Sequence, residues 1–149
     1  MEQANLRAAK PDDLESITTL VAAAYAPARA ELDDLPDVTA GFAEHLAQDI
    51  VFVAESGSDI LGVIVVSPRD GALWIINLAV APRAAGQGIG RRLMQLAETE
   101  AAQHKCTEMR LRTHAGMSGT LAFYRGLGWA ETNRAGNVVT MQKLLAGAC

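Results

Sequence analysis

Three glycines at alternate positions, Gly86, Gly88 and Gly90, form the stretch whose chemistry is clearest from residue types alone. They follow an apolar run at residues 73–80 and precede an amphipathic pattern that is typical of a long helix. A strand, a glycine turn and a helix start direct free backbone N–H groups and the positive end of the helix dipole to one point. Glycine also lets the main chain approach a ligand closely and adopt positive φ. The pattern therefore predicts an anion site, for a phosphate or a pyrophosphate.

Two familiar nucleotide-binding motifs do not match this turn. A P-loop needs Lys followed by Ser or Thr at the helix start, but Arg91 and Arg92 stand there. The dinucleotide fingerprint GxGxxG would need a glycine at position 91. An ordinary strand-to-helix turn, with glycines for tight packing alone, stays open as an alternative.

Arg83, Gly86 and Gly88 have the spacing (Gln or Arg)-x-x-Gly-x-(Gly or Ala), which resembles the acetyl-CoA motif of the GNAT superfamily of N-acyltransferases. The stretch LAFYRGLGW, residues 121–129, resembles a helix and turn of the same family. The resemblance covers nearly the whole chain and implies acetyl-CoA as co-substrate, without a metal. The coenzyme-binding residues that it implies are Leu78, Ala79, Val80, Arg83, Gly86, Gln87, Gly88, Ile89, Gly90, Arg91, Ser118, Phe123 and Tyr124.

The resemblance implies that Tyr124 is the general acid. A phenol with a pKa of about 10 can protonate a departing thiolate with a pKa of about 8.5 when it is well oriented. The alternative is a core aromatic whose hydroxyl has an internal partner. The acyl-pantetheine is expected to pair like an added strand with residues 78–80, and an N–H of Leu78 or Val80 would polarise the thioester carbonyl.

Two further positions depart from the family pattern or leave a choice. Relatives often have Asn at the start of the fourth helix, where this chain has Met117 and Ser118. Ser118 is expected to contact pantetheine in its place, or only to cap the helix. One of Arg83, Arg91 and Arg92 is expected to meet the ribose 3′-phosphate.

The general base is the least determined part of the reaction. The acceptor must attack as a free amine, so an ammonium with a pKa near ~10 has to lose a proton. Many relatives use a Glu on the fourth strand, but ALWIINLAV at residues 72–80 contains no acid. His114 is the predicted base, because an imidazole pKa of about 6.5 suits the task. A loop-packing histidine, Glu55, the acidic run at residues 31–37 and a chain of water molecules remain alternatives.

The predicted function is transfer of an acetyl group from acetyl-CoA to a primary amine, either a small molecule or a peptide. The acidic run contains Glu31, Asp33, Asp34 and Asp37 and favours a cationic acceptor by charge complementarity. The alternative is a binding module of the same fold, which would hold acyl-CoA as a sensor or scaffold without turnover. The missing acid on the fourth strand favours the sensor, and the retention of Tyr124 opposes it.

Elements that position these residues follow from hydrophobic periodicity. Their order, β-α-α-β-β-β-α-β-α-β-β, indicates a mixed α+β sheet of GNAT type, with an antiparallel meander and one parallel crossover. The first helix is expected to end at Pro27, the second to span residues 39–49, and residues 133–137 to be a turn. The other predicted strands and helices lie at residues 5–9, 51–55, 60–67, 73–80, 89–105, 109–113, 118–127 and 138–145.

Composition places the chain in a broad class. Its 149 residues are 50% hydrophobic and 20% charged, which predicts one folded domain over residues 1–149. The net charge of −4 gives no reason to expect nucleic acid as a partner. No run is long enough to span a membrane, no secretory signal is recognisable, and Cys106 and Cys149 form no disulfide framework. We therefore expect a cytoplasmic protein without a membrane partner, and by resemblance a homodimer.

Overall fold

The computed structural model describes residues 4–35, 39 and 41–145, so Asp37 and Cys149 lie outside the described residues. One-turn 3₁₀ helices at Pro11–Asp13 and Pro82–Ala84 precede the first and third α-helices. The predicted element order and the mixed α+β class are confirmed. The elements are β1 (Asn5–Ala8), α1 (Leu14–Glu31), α2 (Phe42–Gln48), β2 (Ile50–Ser56), β3 (Asp59–Arg69), β4 (Ala72–Val80), α3 (Ile89–Gln103), β5 (Glu108–His114), α4 (Ser118–Gly126), β6 (Ala130–Ala135) and β7 (Val138–Leu144).

Seven strands form a single sheet in the order β1-β2-β3-β4-β5-β7-β6. Every neighbouring pair is antiparallel except β4 and β5, which run parallel and are joined through α3. Helices α1 and α3 cover opposite faces of the central strands. Successive β3 residues from Val63 to Val66 point to alternate faces of the sheet and are all fully buried, so both faces are covered at this strand. No helix in the described part of the chain is long and apolar enough to cross a membrane.

A β-bulge interrupts β4 at Ile76. Asn77 lies opposite Val65 and Ile75 opposite Val66, so Ile76 is a surplus residue on this strand. A bulge bends its strand and increases the local twist. As a result, β4 changes direction in its second half, and the side chains beyond Ile76 change face relative to strict alternation.

The first helix differs from the prediction, since α1 continues through Pro27 to Glu31. Proline removes one N–H from the helical ladder. Pro27 is exposed here, so water can satisfy the carbonyl that loses its partner. The alanines around Pro27 favour helix, and the helix ends with the Leu32 N–H donating to the Ala28 carbonyl at 2.8 Å.

Two further boundaries also differ from the prediction. Helix α2 begins at Phe42 rather than at residue 39, because Gly41 takes the left-handed conformation, with φ of 82°. Strand β2 begins at Ile50, one residue before the predicted strand at residues 51–55. Residues 133–135, expected in a turn, belong to β6, and the reversal is confined to Gly136 and Asn137.

Candidate active site

The candidate site lies where β4 and β5 separate. Their parallel pairing runs from Ala72 opposite Glu108 to Ile75 opposite Leu111 and stops at the bulge. Beyond that point a cleft of about 520 Å³ opens between the strands. The start of α3, the middle of α4 and the C-terminal half of α1 also contribute to its lining.

The glycine turn forms one end of this cleft. Gly86 and Gly88 have φ of 83° and 78°, and a Cβ atom built on either would meet no atom within 4 Å. The first helical bond of α3 runs from Arg92 N–H to the Gly88 carbonyl at 3.1 Å, so the preceding amides of Ile89, Gly90 and Arg91 are left free by the helix. Bare backbone, free N–H groups and open space together suit an anion.

Two other glycines permit close packing around the turn. A Cβ atom on Gly90 would lie 3.3 Å from Cζ of Phe123, so α4 approaches the start of α3 at this point. A Cβ atom on Gly62 would lie 2.8 Å from Cγ2 of Ile89, so α3 sits directly on β3. These contacts hold the free amides of α3 rigidly at the end of the cleft.

The second half of β4 presents backbone groups to the cleft. Ala81 N–H donates to the Leu61 carbonyl at 2.8 Å, and hydrogen-bonded pairs alternate along an antiparallel ladder. Ala79 therefore bonds to β3, whereas Leu78 and Val80 turn their N–H and C=O groups away from it. The hydroxyl of Tyr25 donates to the Leu78 carbonyl at 3.3 Å, which agrees with this direction.

Two tyrosines face each other at the cleft. Tyr124 is 6% exposed, and its ring contacts those of Phe123 and Trp129 at centroid distances of 5.3 and 5.5 Å. Its hydroxyl has no hydrogen-bond partner among the described residues. Burial, with a smaller contribution from the nearby hydroxyl of Tyr25, raises the pKa of Tyr124 far above its ordinary value. Burial also raises the pKa of Tyr25. Both phenols therefore keep their protons at neutral pH.

Two polar side chains reach the cleft from the α1 face of the sheet. Asn77 lies opposite Val65, and Arg112 is the first β5 residue beyond the pairing with β4. The Oδ1 atom of Asn77 is buried and has no hydrogen-bond partner among the described residues. A buried carbonyl oxygen without a partner is unfavourable unless a ligand supplies a donor.

Most of the predicted coenzyme-binding residues lie together in this cleft. Three of the predicted residues do not line it: Arg83, Gln87 and Ser118. Their contact with the coenzyme stays a prediction. The residues that line it are Leu78, Ala79, Val80, Gly86, Gly88, Ile89, Gly90, Arg91, Phe123 and Tyr124.

The arginines near the turn have different surroundings. The side chain of Arg83 is 63% exposed, lies 3.7 Å from Asp59 and does not line the cleft. Arg92 donates to the Ala4 carbonyl at 2.6 Å, whereas Arg91 lines the cleft. Ser118 is exposed and is the first residue of α4, and the cap position belongs to Met117. The alternative that Ser118 caps this helix is therefore wrong.

His114 lies outside the lining of the cleft, and both of its ring nitrogens have partners. Nε2 is 2.6 Å from Oδ1 of Asp34, and Nδ1 accepts from Gly116 N–H at 2.9 Å. The acceptor role of Nδ1 puts the ring proton on Nε2, which donates it to Asp34. No nitrogen lone pair is left for an incoming amine in this arrangement, and the role of base stays a prediction.

Sequence reasoning missed Tyr25 and Arg112 and left Asn77 without a role. Tyr25 follows Val21 by four residues, so helical spacing already placed it on the buried face of α1. Alternation along MRLRTH puts Arg110, Arg112 and His114 on one face of β5. These two periodicities were the available signals.

Comparison with known proteins agrees with this geometry. The model of the Acetyltransferase (GNAT) family matches residues 14–129. The chain is similar to the structure of the PaiA N-acetyltransferase from Thermoplasma acidophilum in complex with coenzyme A, with a TM-score of 0.87 and 17% identity over 97% of this chain and 100% of that one. It is also similar to the ribosomal-protein-S18-alanine N-acetyltransferase from Escherichia coli, with a TM-score of 0.78 and 17% identity over 97% and 96% of the two chains. Sequence comparison with curated proteins finds no match.

The ribosomal-protein-alanine N-acetyltransferase from Brucella melitensis is a third similar structure, with a TM-score of 0.74 and 23% identity over 95% of this chain and 99% of that one. At these identities the structural likeness concerns the fold. The family model covers most of the chain, and it decides the class. The chain belongs to the GNAT family of acetyltransferases and is an acyltransferase.

Proposed function

We propose that the chain is an N-acetyltransferase that transfers the acetyl group of acetyl-CoA to a primary amine by direct attack in a ternary complex. One observation carries the proposal. The residues that supply the free amides of α3, the outward amides of β4 and the hydroxyl of Tyr124 all line the same cleft. These are the groups needed to hold a diphosphate, polarise a thioester carbonyl and protonate a leaving sulfur.

The cradle, which is the glycine turn at residues 86–88 with the free amides of residues 89–91, is proposed to hold the coenzyme's diphosphate. It is open at its glycines, where a Cβ atom on Gly86 or Gly88 would meet no atom within 4 Å. The amides of residues 89–91 would donate to the phosphate oxygens, and Arg91 would add a positive charge. When bound, acetyl-CoA would supply the activated thioester.

The backbone of β4 would hold the acyl arm and polarise its carbonyl. Leu78 and Val80 turn their N–H groups away from β3, so either can donate to the carbonyl oxygen as negative charge develops there. The Leu78 carbonyl already accepts from Tyr25, which fixes the direction of this peptide group. Because the strand is rigid and paired on its other edge, the donor requires little reorganisation.

Tyr124 would protonate the departing sulfur. Its raised pKa keeps the hydroxyl protonated over the working pH range, and its hydrogen is not engaged by any described residue. Asn77 also lines the cleft, and its amide would contact the attacking nitrogen. Asp34 and Gly116 occupy both nitrogens of His114, so we propose that the amine loses its proton to water.

The alternative function, an acyl-CoA sensor without turnover, has one supporting observation. Among the described residues that line the cleft, none is an aspartate or a glutamate. An enzyme that deprotonates its amine through water does not need one, whereas a sensor has no use for Tyr124. The two candidates therefore differ in whether thiol is released.

A thiol-release assay with acetyl-CoA and a panel of amines tests the proposal. We expect release with at least one amine and a KM for acetyl-CoA that rises about tenfold or more in Gly88→Trp, because the side chain occupies the cradle and displaces backbone donors. Gly57→Trp is the matched control, since Gly57 also has positive φ and open space but lies in the β2–β3 turn. Coenzyme binding without thiol release from any amine would favour the sensor. Equal KM values for acetyl-CoA in the two variants would contradict the proposal that the coenzyme binds at the glycine turn.

A further inference from the structure

The guanidinium of Arg112 is held on an aromatic ring at the mouth of the cleft. Its Cζ atom lies over the indole of Trp74, 4.6 Å from the ring centroid. Contact with an aromatic face restrains a guanidinium and leaves the N–H groups on its edge available. Arg112 also lines the cleft itself. Arg112 is an exposed residue, and the ring of Trp74 restrains its guanidinium at the mouth of the cleft.

Arg112 and the phosphate cradle lie on opposite faces of the sheet. Ile75 pairs with Val66 and lies with it on the α3 face of the sheet. Leu111 is buried and pairs with Ile75, so it lies on the same face. Arg112, the next residue along β5, therefore points to the α1 face. Trp74, one residue before Ile75, points to the same face. A coenzyme held at the start of α3 would reach the strand opening from one face, and the acceptor would meet it from the other, where Arg112 lies.

Arg112 has no acidic partner among the described residues. Its neighbour Arg110 forms a bidentate pair with Glu108, with N···O distances of 2.8 and 3.0 Å. Asp34, the acid fixed beside His114, is engaged through both oxygens, at 2.6 Å to His114 and 2.7 Å to Asn137. The described part of the acceptor face therefore offers an uncompensated positive charge.

We propose that the amine acceptor carries a carboxylate and that Arg112, supported by Trp74, binds it. This inference rests on the proposed function, because it identifies the class of the second substrate. A guanidinium and a carboxylate match in two parallel N–H···O bonds, which orient as well as attract. Asn77 lies across the opening on the same face and also lines the cleft, on the side proposed for the amine end. The site thus suits a small molecule with an amine at one end and a carboxylate at the other.

The proposal differs from the cationic acceptor that the acidic run favours. Asp34 is bonded to His114 and Asn137, and Glu31, Asp33 and Asp34 do not line the cleft. Asp37 lies outside the described residues. The charges that do line the cleft are those of Arg91 and Arg112.

The test compares acceptors that differ only in the carboxylate. Glycine, β-alanine and longer ω-amino acids are assayed against their carboxamides by thiol release with acetyl-CoA. We expect kcat/KM to favour the best carboxylate over its carboxamide by about tenfold or more, as for a charge-assisted hydrogen bond. The chain length of that best acceptor would give the distance between the amine and carboxylate sites.

Two variants assign the preference to its residue. Arg112→Gln should abolish the preference for the carboxylate over the carboxamide, mainly by raising the KM of the carboxylate acceptor. Arg112→Lys should keep part of this preference, because the positive charge remains. Arg110→Gln is the matched control and should retain it, since Arg110 is already paired with Glu108. Circular dichroism and thermal melting confirm that each variant is folded.

The failures of the two proposals are distinguishable. If neutral or cationic amines are acetylated as well as the amino acids, or if Arg112→Gln keeps the preference, the carboxylate site is overturned and the acetyltransferase proposal stands. If no amine of any charge releases thiol, both proposals fail together.

Discussion

Tyr124 illustrates, at the scale of a single residue, the difference between a side chain placed for packing and one placed for chemistry. Its ring packs against two aromatic neighbours, but its hydroxyl has no partner among the described residues. Phenylalanine could make the same ring contacts, so the hydroxyl is the part of this side chain that the proposed role as general acid uses.

Replacement of Tyr124 by Phe separates the two roles. We expect Tyr124→Phe to lower kcat by roughly 10²-fold, because the general acid is lost. The melting temperature should stay the same or rise, because no internal hydrogen bond is removed. Tyr25→Phe is the control, since it removes a hydroxyl that donates to the Leu78 carbonyl and should cost about 1 kcal/mol of stability. A kcat equal to that of the wild type in Tyr124→Phe would contradict the role of general acid and leave Tyr124 with a packing role alone.

At the scale of elements, a clasp of three side chains joins the end of α1 to the far half of the sheet. The clasp consists of His114 on β5, Asp34 after α1 and Asn137 in the β6–β7 turn, joined by bonds of 2.6 and 2.7 Å. Together His114 and Asn137 hold the pKa of the Asp34 carboxyl below its usual value. Leu32 packs against the loop between β5 and α4. A Cβ atom built on Gly116 in that loop would lie 2.8 Å from Cδ2 of Leu32. The clasp fixes the wall beside the proposed acceptor site.

His114→Asn tests whether this histidine is part of a clasp or a base. We expect faster amide hydrogen exchange at residues 32–35 and a higher KM for the amine, because the wall loosens. The pH dependence of kcat should keep its shape, because water takes the proton. A fall in kcat of roughly 10²-fold would instead identify His114 as the base, if the increase in kcat as the pH rises through the pKa of the base were lost as well. His104→Asn, on an exposed helix end far from the cleft, is the matched control.

At the scale of the whole molecule, one ion network ties the first strand to the rest of the sheet. Arg7 on β1 donates to Asp13, before α1, at 2.8 Å and to Glu55 on β2 at 3.0 Å. The guanidinium holds the pKa values of both carboxyl groups below their ordinary range. A carboxylate with a lower pKa in the folded state stabilises the fold above its unfolded pKa of about 4 and loses this effect as the pH falls.

We expect Arg7→Gln to lower the melting temperature by a few degrees at pH 7, because both carboxylates lose their partner. The difference from the wild type should shrink as the pH falls below about 4, because protonation removes the same interactions from the wild type. Melting curves at several pH values measure this convergence. A difference that is constant with pH would mean that Arg7 contributes through packing alone.

The fold could be predicted almost completely, because it depends on periodicities and turn residues that the sequence displays directly. Helix α3 and its glycine turn are of this kind. The errors arose where tertiary context overrides a local signal, as when α1 continues past the exposed Pro27. The residues that line the cleft could be predicted where they belong to the glycine turn or to the aromatic helix, because both stretches have recognisable motifs. The face that Asn77 occupies depends on the bulge in β4, which leaves no mark in composition or spacing. Arg112, on the regular strand β5, reaches the cleft because the pairing with β4 stops just before it.

The bulge at Ile76 also has a practical consequence for protein engineering. One surplus residue puts the two halves of β4 out of step, so even-numbered positions before it and odd-numbered positions after it share a face. A graft that transplants either half from another protein must carry the extra residue with it. Without it, every downstream side chain would be inverted, and the amides that now open toward the cleft would point into the neighbouring strand.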